Sequence, residues 1–195
     1  MERPILHAQI ELPGLGLLHI INLHLKSRLA TNVPGQRHPE KGYLWLSAGG
    51  WAEGYFMSSI KRVGQALETR LLVDKIFDNE PEARIIVCGD FNAEPGEVPV
   101  EAIAGRVENT GNEALRHRVL IPASAGIAAS VRFSHRHEGQ GNLLDHMLFS
   151  QALLPWFRFA AIHNENLHDE SLPFAFDTKF PESDHAAFLA ELDLP

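Results

Sequence analysis

The chain lacks several features that mark whole classes of proteins. It contains one cysteine, Cys88, in 195 residues, so no disulfide can form within the chain. Its most apolar stretches, such as residues 15–25, are interrupted by Asn and His and are too short to span a bilayer. Its first residues do not have the basic and then apolar layout of a secretory signal peptide. A disulfide-stapled miniprotein and a membrane-spanning protein are therefore excluded, and a cytoplasmic location is expected.

Basic side chains are scarce relative to acidic ones. The 17 Lys and Arg residues oppose 25 Asp and Glu residues, which gives a formal net charge of −8 with His neutral. This balance argues against a protein that coats nucleic acid through bulk positive charge, although it leaves room for a local basic patch. The apolar fraction of 45% and the charged fraction of 22% are ordinary for a globular domain and exclude a disordered chain. A length of 195 residues is enough for one domain with a substantial core.

The first part of the chain predicts a hairpin, a long loop and a helix. Two apolar runs, 5–12 and 17–25, flank the turn sequence PGLG and predict a β-hairpin. Residues 28–57 contain five glycines and little periodicity, which predicts a long loop or insertion. Apolar residues at helical spacing predict a helix over residues 58–79, with Ser58 or Ser59 as its N-cap.

The rest of the chain predicts mainly strands. The sequence RIIVCGD, residues 84–90, is typical of a buried strand, and a short helix is expected within residues 98–105. Further strands are expected at 118–121, 142–149, 157–162 and 186–192. This order of elements predicts an α/β (α+β) layered domain.

Polar residues of a few types recur beside four of the apolar strands. The four segments are INLHLKS at 21–27, VCGDFNAEPGE at 87–97, LLDHMLFS at 143–150 and SDHAAFLAEL at 183–192. Each one has an ordinary explanation by itself: GDFN as a turn, Asp184 as a cap, His185 as a surface residue and His24 as a hydrogen-bonded core histidine. Because the same residue types recur in all four segments, a shared site is favoured over these separate explanations.

The strand pattern also predicts local geometry. Residues two apart share a face, so Asn22 and His24 point the same way. Gly89 lacks a side chain directly before Asp90, which permits a bend or the close approach of another backbone. Asp145 lies in an otherwise apolar row and needs a partner, because burying an unpaired carboxylate costs several kcal/mol.

Together these segments resemble successive motifs of the endonuclease/exonuclease/phosphatase family, which has the DNase-I-like fold. The matching motifs are Asn22-Leu23-His24-Leu25, Gly89-Asp90-Phe91-Asn92, Leu144-Asp145-His146 and Ser183-Asp184-His185. Their order and approximate spacing match the family, and GDFN followed about ninety residues later by SDH is a specific combination. The resemblance implies a layered sandwich of two mainly antiparallel β-sheets flanked by helices, and metal-assisted hydrolysis of a phosphate ester.

The resemblance also implies roles for individual residues. Asp184 would be a ligand of Mg²⁺ (or Mn²⁺), since such hard ions prefer oxygen donors. His185 would act as general base or phosphate contact, with Asp145 fixing its tautomer and stabilising its charged form. Asp90 would orient or deprotonate the attacking water, or protonate the leaving oxygen.

Two further residues complete the implied catalytic set. Asn92 would hydrogen-bond a phosphate oxygen or the water. His24 would stabilise negative charge that develops on the phosphoryl oxygens.

The N-terminal part of the family domain has no counterpart in the sequence. Family members begin with a strand that carries an Asn and a following segment that carries a metal-binding Glu, whereas Glu2 and Glu11 lie in a different context. We therefore expect an N-terminally incomplete single domain, 1–195, with the C-terminal two thirds or more of the family domain. A signal on the absent segment would change the expected location. Uncovered sheet surface would promote a homo-oligomer, and the alternative function is a catalytically impaired fragment or non-enzymatic remnant.

The substrate is left open between nucleic acid and a small phosphorylated molecule. Two groups of cations either line a phosphate-binding rim or are a solvated surface: Lys26, Arg28, Arg37, His38 and Lys41, and Arg132, His135, Arg136 and His137. The aromatic residues of the predicted loop either stack on a base or anchor the loop on the core: Tyr43, Trp45, Trp51 and Tyr55. A zinc site at His135 and His137 lacks a convincing third ligand in the sequence.

Overall fold

The computed structural model describes residues 3–172 and 183–194. Its strands are β1 (Leu6–Leu12), β2 (Gly16–His24), β3 (Arg84–Asp90), β4 (Leu120–Pro122), β5 (His135–His137), β6 (Gln140–Asn142), β7 (Asp145–Ser150), β8 (Phe157–His163) and β9 (Ala187–Leu192). Its α-helices are α1 (Ala48–Asn79), α2 (Val98–Ala104) and α3 (Val107–Thr110), and 3₁₀ turns occupy Glu113–Arg118, Ala123–Gly126, Ala129–Val131 and Gln151–Trp156.

A five-stranded sheet in the order β1-β2-β3-β7-β4 forms the centre of the molecule. β1 and β2 form the predicted antiparallel hairpin. β2 and β3 are parallel neighbours, and such a pair needs a crossover connection, which α1 supplies. β7 is antiparallel to both β3 and β4. The expected strands are thus confirmed, whereas the short β5–β6 hairpin was not predicted.

The two faces of the central sheet are covered by different layers, because neighbouring residues of a strand point to opposite faces. On one face, α1 and α2 pack on a core that includes Ile21, Leu23, Val73, Phe77, Ile85, Val87, Ile103 and Leu148. On the other face, the β8–β9 pair packs through Phe157, Ala160, Phe188 and Ala190 against Leu18, Ile86 and Phe149. The predicted layered sandwich is therefore confirmed.

Helix α1 begins ten residues earlier than predicted, at Ala48 rather than Ser58. Ser47 is the N-cap, and its hydroxyl accepts a hydrogen bond of 2.9 Å from the Gly50 amide. Ser58 lies inside the helix and is buried. The prediction failed because the first three turns are rich in glycine and aromatic residues and lack an apolar inner stripe.

The inner face of the first half of α1 is polar because it packs on a loop. The Arg62 guanidinium donates to the carbonyls of Lys26 and Ser27, both at 3.1 Å. Gln65 accepts from the Lys26 amide at 2.7 Å, and Ser58 donates to a carbonyl of the same loop at 2.6 Å. Buried backbone groups need partners, and these side chains supply them.

The edge of the central sheet exposes apolar side chains, which bears on the expected homo-oligomer. Leu6 and Ile10 of the edge strand β1 are exposed, so apolar sheet surface is present, and association through it stays a prediction.

Within residues 3–172 and 183–194, no helix is both long and apolar enough to cross a bilayer.

The backbone of β2 leaves no room for a side chain at Gly89 of β3. Its φ of +124° favours glycine, and a Cβ there would overlap the carbonyl oxygen of Leu23. We expect Gly89→Ala to lower the free energy of unfolding by about 2 kcal/mol or more, since strain and overpacking add. Denaturant unfolding measures this. Gly126→Ala, at a position with open space around its Cα, is the matched control, and equal losses in the two variants would contradict the prediction.

Candidate active site

Three of the predicted site residues lie in one row across the central sheet. His24 on β2 is paired with Asp90 on β3, and Asp90 is paired with Asp145 on β7. The row lies at the carboxyl ends of the two parallel strands, so three side chains that are far apart in sequence meet at one end of the sheet. This register follows from the apolar alternation of the strands, because a slip of one residue would turn the row to the opposite face.

Asp90 and Asn92 form a tight turn after β3. The Asn92 backbone amide donates to Asp90 Oδ1 and its side-chain amide donates to Asp90 Oδ2, each at 2.8 Å. Asn92 adopts a positive φ of 48°, which Asn tolerates better than most residues. His24 Nε2 lies 3.3 Å from Asp90 Oδ2. The Asp90 carboxylate is therefore held at both oxygens.

His185 is paired with the carboxylate of Asp145. Its Nδ1 lies 2.6 Å from Asp145 Oδ2, which meets the need of that carboxylate for a partner. The hydrogen bond to Asp145 raises the pKa of His185 to about 9, against the opposing effect of burial. His185 is therefore positively charged at neutral pH, with Nδ1 facing Asp145.

Asp90 is a stronger base than an exposed aspartate. Burial raises its pKa, the hydrogen bond from the Asn92 amide works in the opposite direction, and the nearby Asp145 charge raises it further. Two half-buried carboxylates that face each other repel, and the His185 cation offsets this repulsion.

The donor atoms at the end of the row fit a divalent cation by distance. Within residues 3–172 and 183–194, one group of three has its ligand atoms within 4.8 Å of one another, namely Asp90, Asp145 and His185. Asp184, the ligand implied by the resemblance, lies beside this group and is exposed. Its negative charge also contributes to the raised pKa of His185. Oxygen donors and a site open to solvent suit Mg²⁺, which keeps several of its waters.

Three residues that support the site were missed in the sequence. His146 is buried, and its Nε2 donates to the Ala93 carbonyl at 2.7 Å, so it holds the loop that follows Asp90. Ser134 Oγ accepts from the backbone amides of Leu144 and Asp145 at 3.1 and 3.0 Å. These contacts join positions far apart in the sequence, and no local pattern indicates them.

Glu170 is the third missed residue, and it contacts both histidines of the β5 strand. His135 Nε2 lies 2.9 Å and His137 Nδ1 3.3 Å from the same Glu170 oxygen. The ring of His135 in turn lies 5.2 Å, centroid to centroid, from that of His185. Glu170 thus steadies the strand that flanks His185.

Most of the cations considered for a phosphate-binding rim have partners within the chain. Arg28 contacts Glu94, Glu97 and the Asn92 carbonyl, so it braces the turn that holds Asp90. Further members of the two groups with intrachain partners include Arg37 (over Trp45 and to two carbonyls), Arg132 (to the Ile127 carbonyl), Arg136 (over Phe133), His135 and His137 (both to Glu170) and Lys26 (to Ser27). These contacts favour structural roles, and the rim stays a prediction.

The aromatic residues of the predicted loop divide into two groups. Trp45 anchors the loop, because its ring packs beside Gly54 and under Arg37. Trp51 and Tyr55 stack on each other at 5.3 Å and, like Tyr43, are exposed.

Comparison with known proteins identifies the family. A model of the endonuclease/exonuclease/phosphatase family matches residues 43–170, about two thirds of the chain. The chain therefore belongs to the endonuclease/exonuclease/phosphatase family, and membership supports hydrolase activity in general. The match includes Asp90, Asn92 and Asp145 and ends before Asp184 and His185. No curated protein sequence matches the chain.

Solved structures share the fold. The 3′ phosphatase NExo from Neisseria, bound to a product DNA hairpin, has 13% identity and a TM-score of 0.52 over 97% of this chain and 70% of that one. A truncated TDP2 from Caenorhabditis elegans has 18% identity and a TM-score of 0.55 over 96% and 58%. The 3′-5′ exonuclease NExo from Neisseria meningitidis has 14% identity and a TM-score of 0.50 over 98% and 72%. Nearly all of this chain thus matches about 58% to 72% of longer chains, and at these identities the likeness shows the fold alone.

The contact between Asp145 and His185 gives a testable expectation. In metal-free protein, kept in a buffer with EDTA, the His185 imidazole should titrate with a midpoint at a pH of about 9, which is its raised pKa. Asp145→Asn removes the largest cause of the raised pKa, so the midpoint should fall. NMR titration of the imidazole resonances measures both, with His185→Gln used to assign the signal. An unchanged midpoint in Asp145→Asn would show that another group holds the proton.

Proposed function

We propose that the chain hydrolyses phosphate esters in a reaction that depends on Mg²⁺ or Mn²⁺. The row of His24, Asp90 and Asp145, closed by His185, carries this proposal. It combines a half-buried base, a cationic hydrogen-bond donor and an exposed carboxylate at one end of the sheet, and family membership supports the reaction class.

His185 serves as a phosphate contact in this proposal. Its Nδ1 is occupied by Asp145, so Nε2 is the ring nitrogen that faces substrate. With a pKa of about 9 the ring is protonated at neutral pH and donates a hydrogen bond to a phosphoryl oxygen. Of the two roles implied by the resemblance, general base and phosphate contact, the raised pKa favours the second.

Asp90 orients the attacking water and accepts its proton. Its raised pKa makes it a stronger base than an exposed aspartate, and two hydrogen bonds from Asn92 fix the direction of its oxygens. His24, 3.3 Å from Asp90, lies at the exposed side of the row, where it offsets negative charge on the substrate. Protonation of the leaving oxygen is the alternative role that the resemblance implies for Asp90.

Asp184 is the proposed metal ligand. Mg²⁺ in enzymes is commonly held by one or two carboxylates, with substrate phosphate and water completing its shell, and the exposed Asp184 suits this arrangement. A bound divalent ion supplies charge neutralisation at the phosphoryl oxygens. The group of Asp90, Asp145 and His185 is the rival ligand set.

Loss of His185 tests the catalytic proposal. We expect His185→Ala to lower turnover of a phosphate ester by about 10²–10³-fold, the usual effect of removing one hydrogen-bond donor to a developing oxyanion. His163→Ala is the matched control, because His163 is an exposed histidine at the end of β8. Steady-state hydrolysis at saturating Mg²⁺ measures both. Unchanged metal-dependent hydrolysis in His185→Ala would remove His185 from the site.

Metal binding tests the ligand assignment independently of activity. We expect Asp184→Asn to weaken Mn²⁺ binding by about 10-fold or more. Removal of a residue that only hydrogen-bonds a metal ligand already lowers metal affinity by that factor, and a ligand itself should contribute at least as much. Calorimetry measures the affinity, and Asp193→Asn, an exposed carboxylate paired with Arg158, is the control. A loss confined to Asp90→Asn would assign the rival ligand set instead. Absence of binding by the unaltered chain would favour the impaired-remnant alternative.

A comparison of activities on four kinds of substrate identifies the substrate class. Activity on plasmid DNA, an abasic duplex, a generic phosphodiester and a phosphomonoester separates a nuclease from a phosphatase. The net charge of −8 favours a small substrate or a short stretch of nucleic acid over long duplex.

A further inference from the structure

The outer face of α1 carries an apolar stripe that the fold leaves uncovered. Five large apolar side chains at spacings of three or four residues lie along it and are 37% to 59% exposed: Phe56, Ile60, Val63, Leu67 and Leu71. Residues at these spacings share one face of a helix. The stripe runs for about four turns and lies opposite the buried face of α1.

The exposure of this stripe follows from how the fold uses the helix. The first half of α1 buries small and polar residues, among them Gly54, Ser58 and Arg62, against the loop that follows β2. The apolar residues of the same turns are therefore on the solvent side. A continuous exposed apolar surface of this kind marks an interaction site in a folded protein.

We propose that the stripe binds a second copy of this chain, with the two α1 helices antiparallel about a twofold axis beside Gly64. Gly64 lies midway along the stripe, and a Cβ placed there would meet nothing within 4 Å. A glycine at the crossing point allows two helix backbones to approach closely. A twofold axis makes the contact self-complementary.

The spacing of the stripe fits this axis. With a rise of about 1.5 Å per residue, Ile60 lies about 6 Å and Leu67 about 4.5 Å from Gly64 along the helix, on opposite sides of it. Ile60 therefore faces the partner's Leu67. By the same count, Phe56 faces the partner's Leu71. Each large side chain of the stripe then meets another across the axis.

The charges along one flank of the stripe are complementary in this register. Glu53 and Lys75 are both exposed, and Glu53 lies level with the partner's Lys75. The twofold axis repeats this pair. Antiparallel helices bring like flanks together, so each Glu53 meets the Lys75 of the other chain, whereas a parallel arrangement opposes different flanks. Charge complementarity thus selects a second copy, in one orientation.

Acidic charge beyond the C-terminal end of the stripe does not oppose this arrangement. Asp74 is paired within its own chain with Arg70 and Arg118. Its charge is therefore already balanced when the two helices meet.

Equilibrium sedimentation of the full chain tests the proposal. A monomer–dimer equilibrium is expected, and Ile60→Glu or Leu67→Glu should raise the dissociation constant by about 30-fold or more, the usual effect of removing a central interface residue. Leu29→Glu is the matched control, because Leu29 is highly exposed but lies in the loop away from the stripe. A chain that stays monomeric at high concentration, or equal effects in all three variants, would overturn the proposal.

Charge reversal tests the register. Glu53→Lys and Lys75→Glu should each weaken the dimer by about 2- to 10-fold, because each change alters two symmetry-related surface pairs. The double variant restores opposite charges across the axis and should recover the original dissociation constant. Circular dichroism checks that α1 stays folded in each variant. Failure of the double variant to recover would contradict the antiparallel register.

Cross-linking tests the orientation. A mixture of Phe56→Cys and Leu71→Cys chains should form mixed cross-linked dimers with a short bifunctional thiol reagent, and either variant alone should not. Both carry Cys88→Ala to remove the native thiol. Cross-linking of Phe56→Cys to itself would indicate parallel helices and overturn the proposal.

Discussion

The site depends on the register of three strands. β2, β3 and β7 pair so that His24, Asp90 and Asp145 are neighbours in one row, and the remaining contacts only refine that placement. The register is possible because Gly89, one residue before Asp90, lets the backbone of β2 approach without a clash. His185 then enters beside β5 through an isolated bridge with His135, and its ring reaches Asp145. A short row of paired residues thus brings the side chains of the candidate site together at one end of the sheet.

Electrostatics at this row follow from partial burial. Two carboxylates face each other across paired strands, which by itself raises their cost of ionisation, and the protonated His185 offsets that cost. The result is one basic carboxylate held by Asn92, one carboxylate held by an imidazolium, and an exposed Asp184 beside them. Such a separation of protonation states within a few ångströms is what acid–base chemistry on a phosphate ester needs.

Helix α1 links the site to the outer surface. Its inner polar residues hold the loop that follows His24, through Arg62 and Gln65 in particular. Because those positions serve backbone hydrogen bonds, the apolar residues of the same turns face outward. Periodicity predicted residues 58–79 of this helix, in which Val73 and Phe77 pack on the core in the usual way. The first ten residues were missed because their buried positions are Gly50 and Gly54, which a hydrophobic pattern does not reveal.

The sequence by itself determined most of the strands along the chain, the hairpin and the residue types of the site, since apolar alternation and the motifs around Asp90 and Asp145 are local properties. It also predicted that Gly89 permits a close approach and that Asp145 needs a partner, and the family resemblance implied that His185 is this partner. The tertiary structure alone decided the order of strands in the sheet and two further partners, Glu170 for His135 and Ser134 for the start of β7. These three contacts join residues that lie 10 to 40 positions apart. A sequence pattern indicates the face of a strand or helix on which a side chain lies. The packing of strands, helices and loops sets the distance between side chains on different elements, and the chemistry of the site depends on that distance.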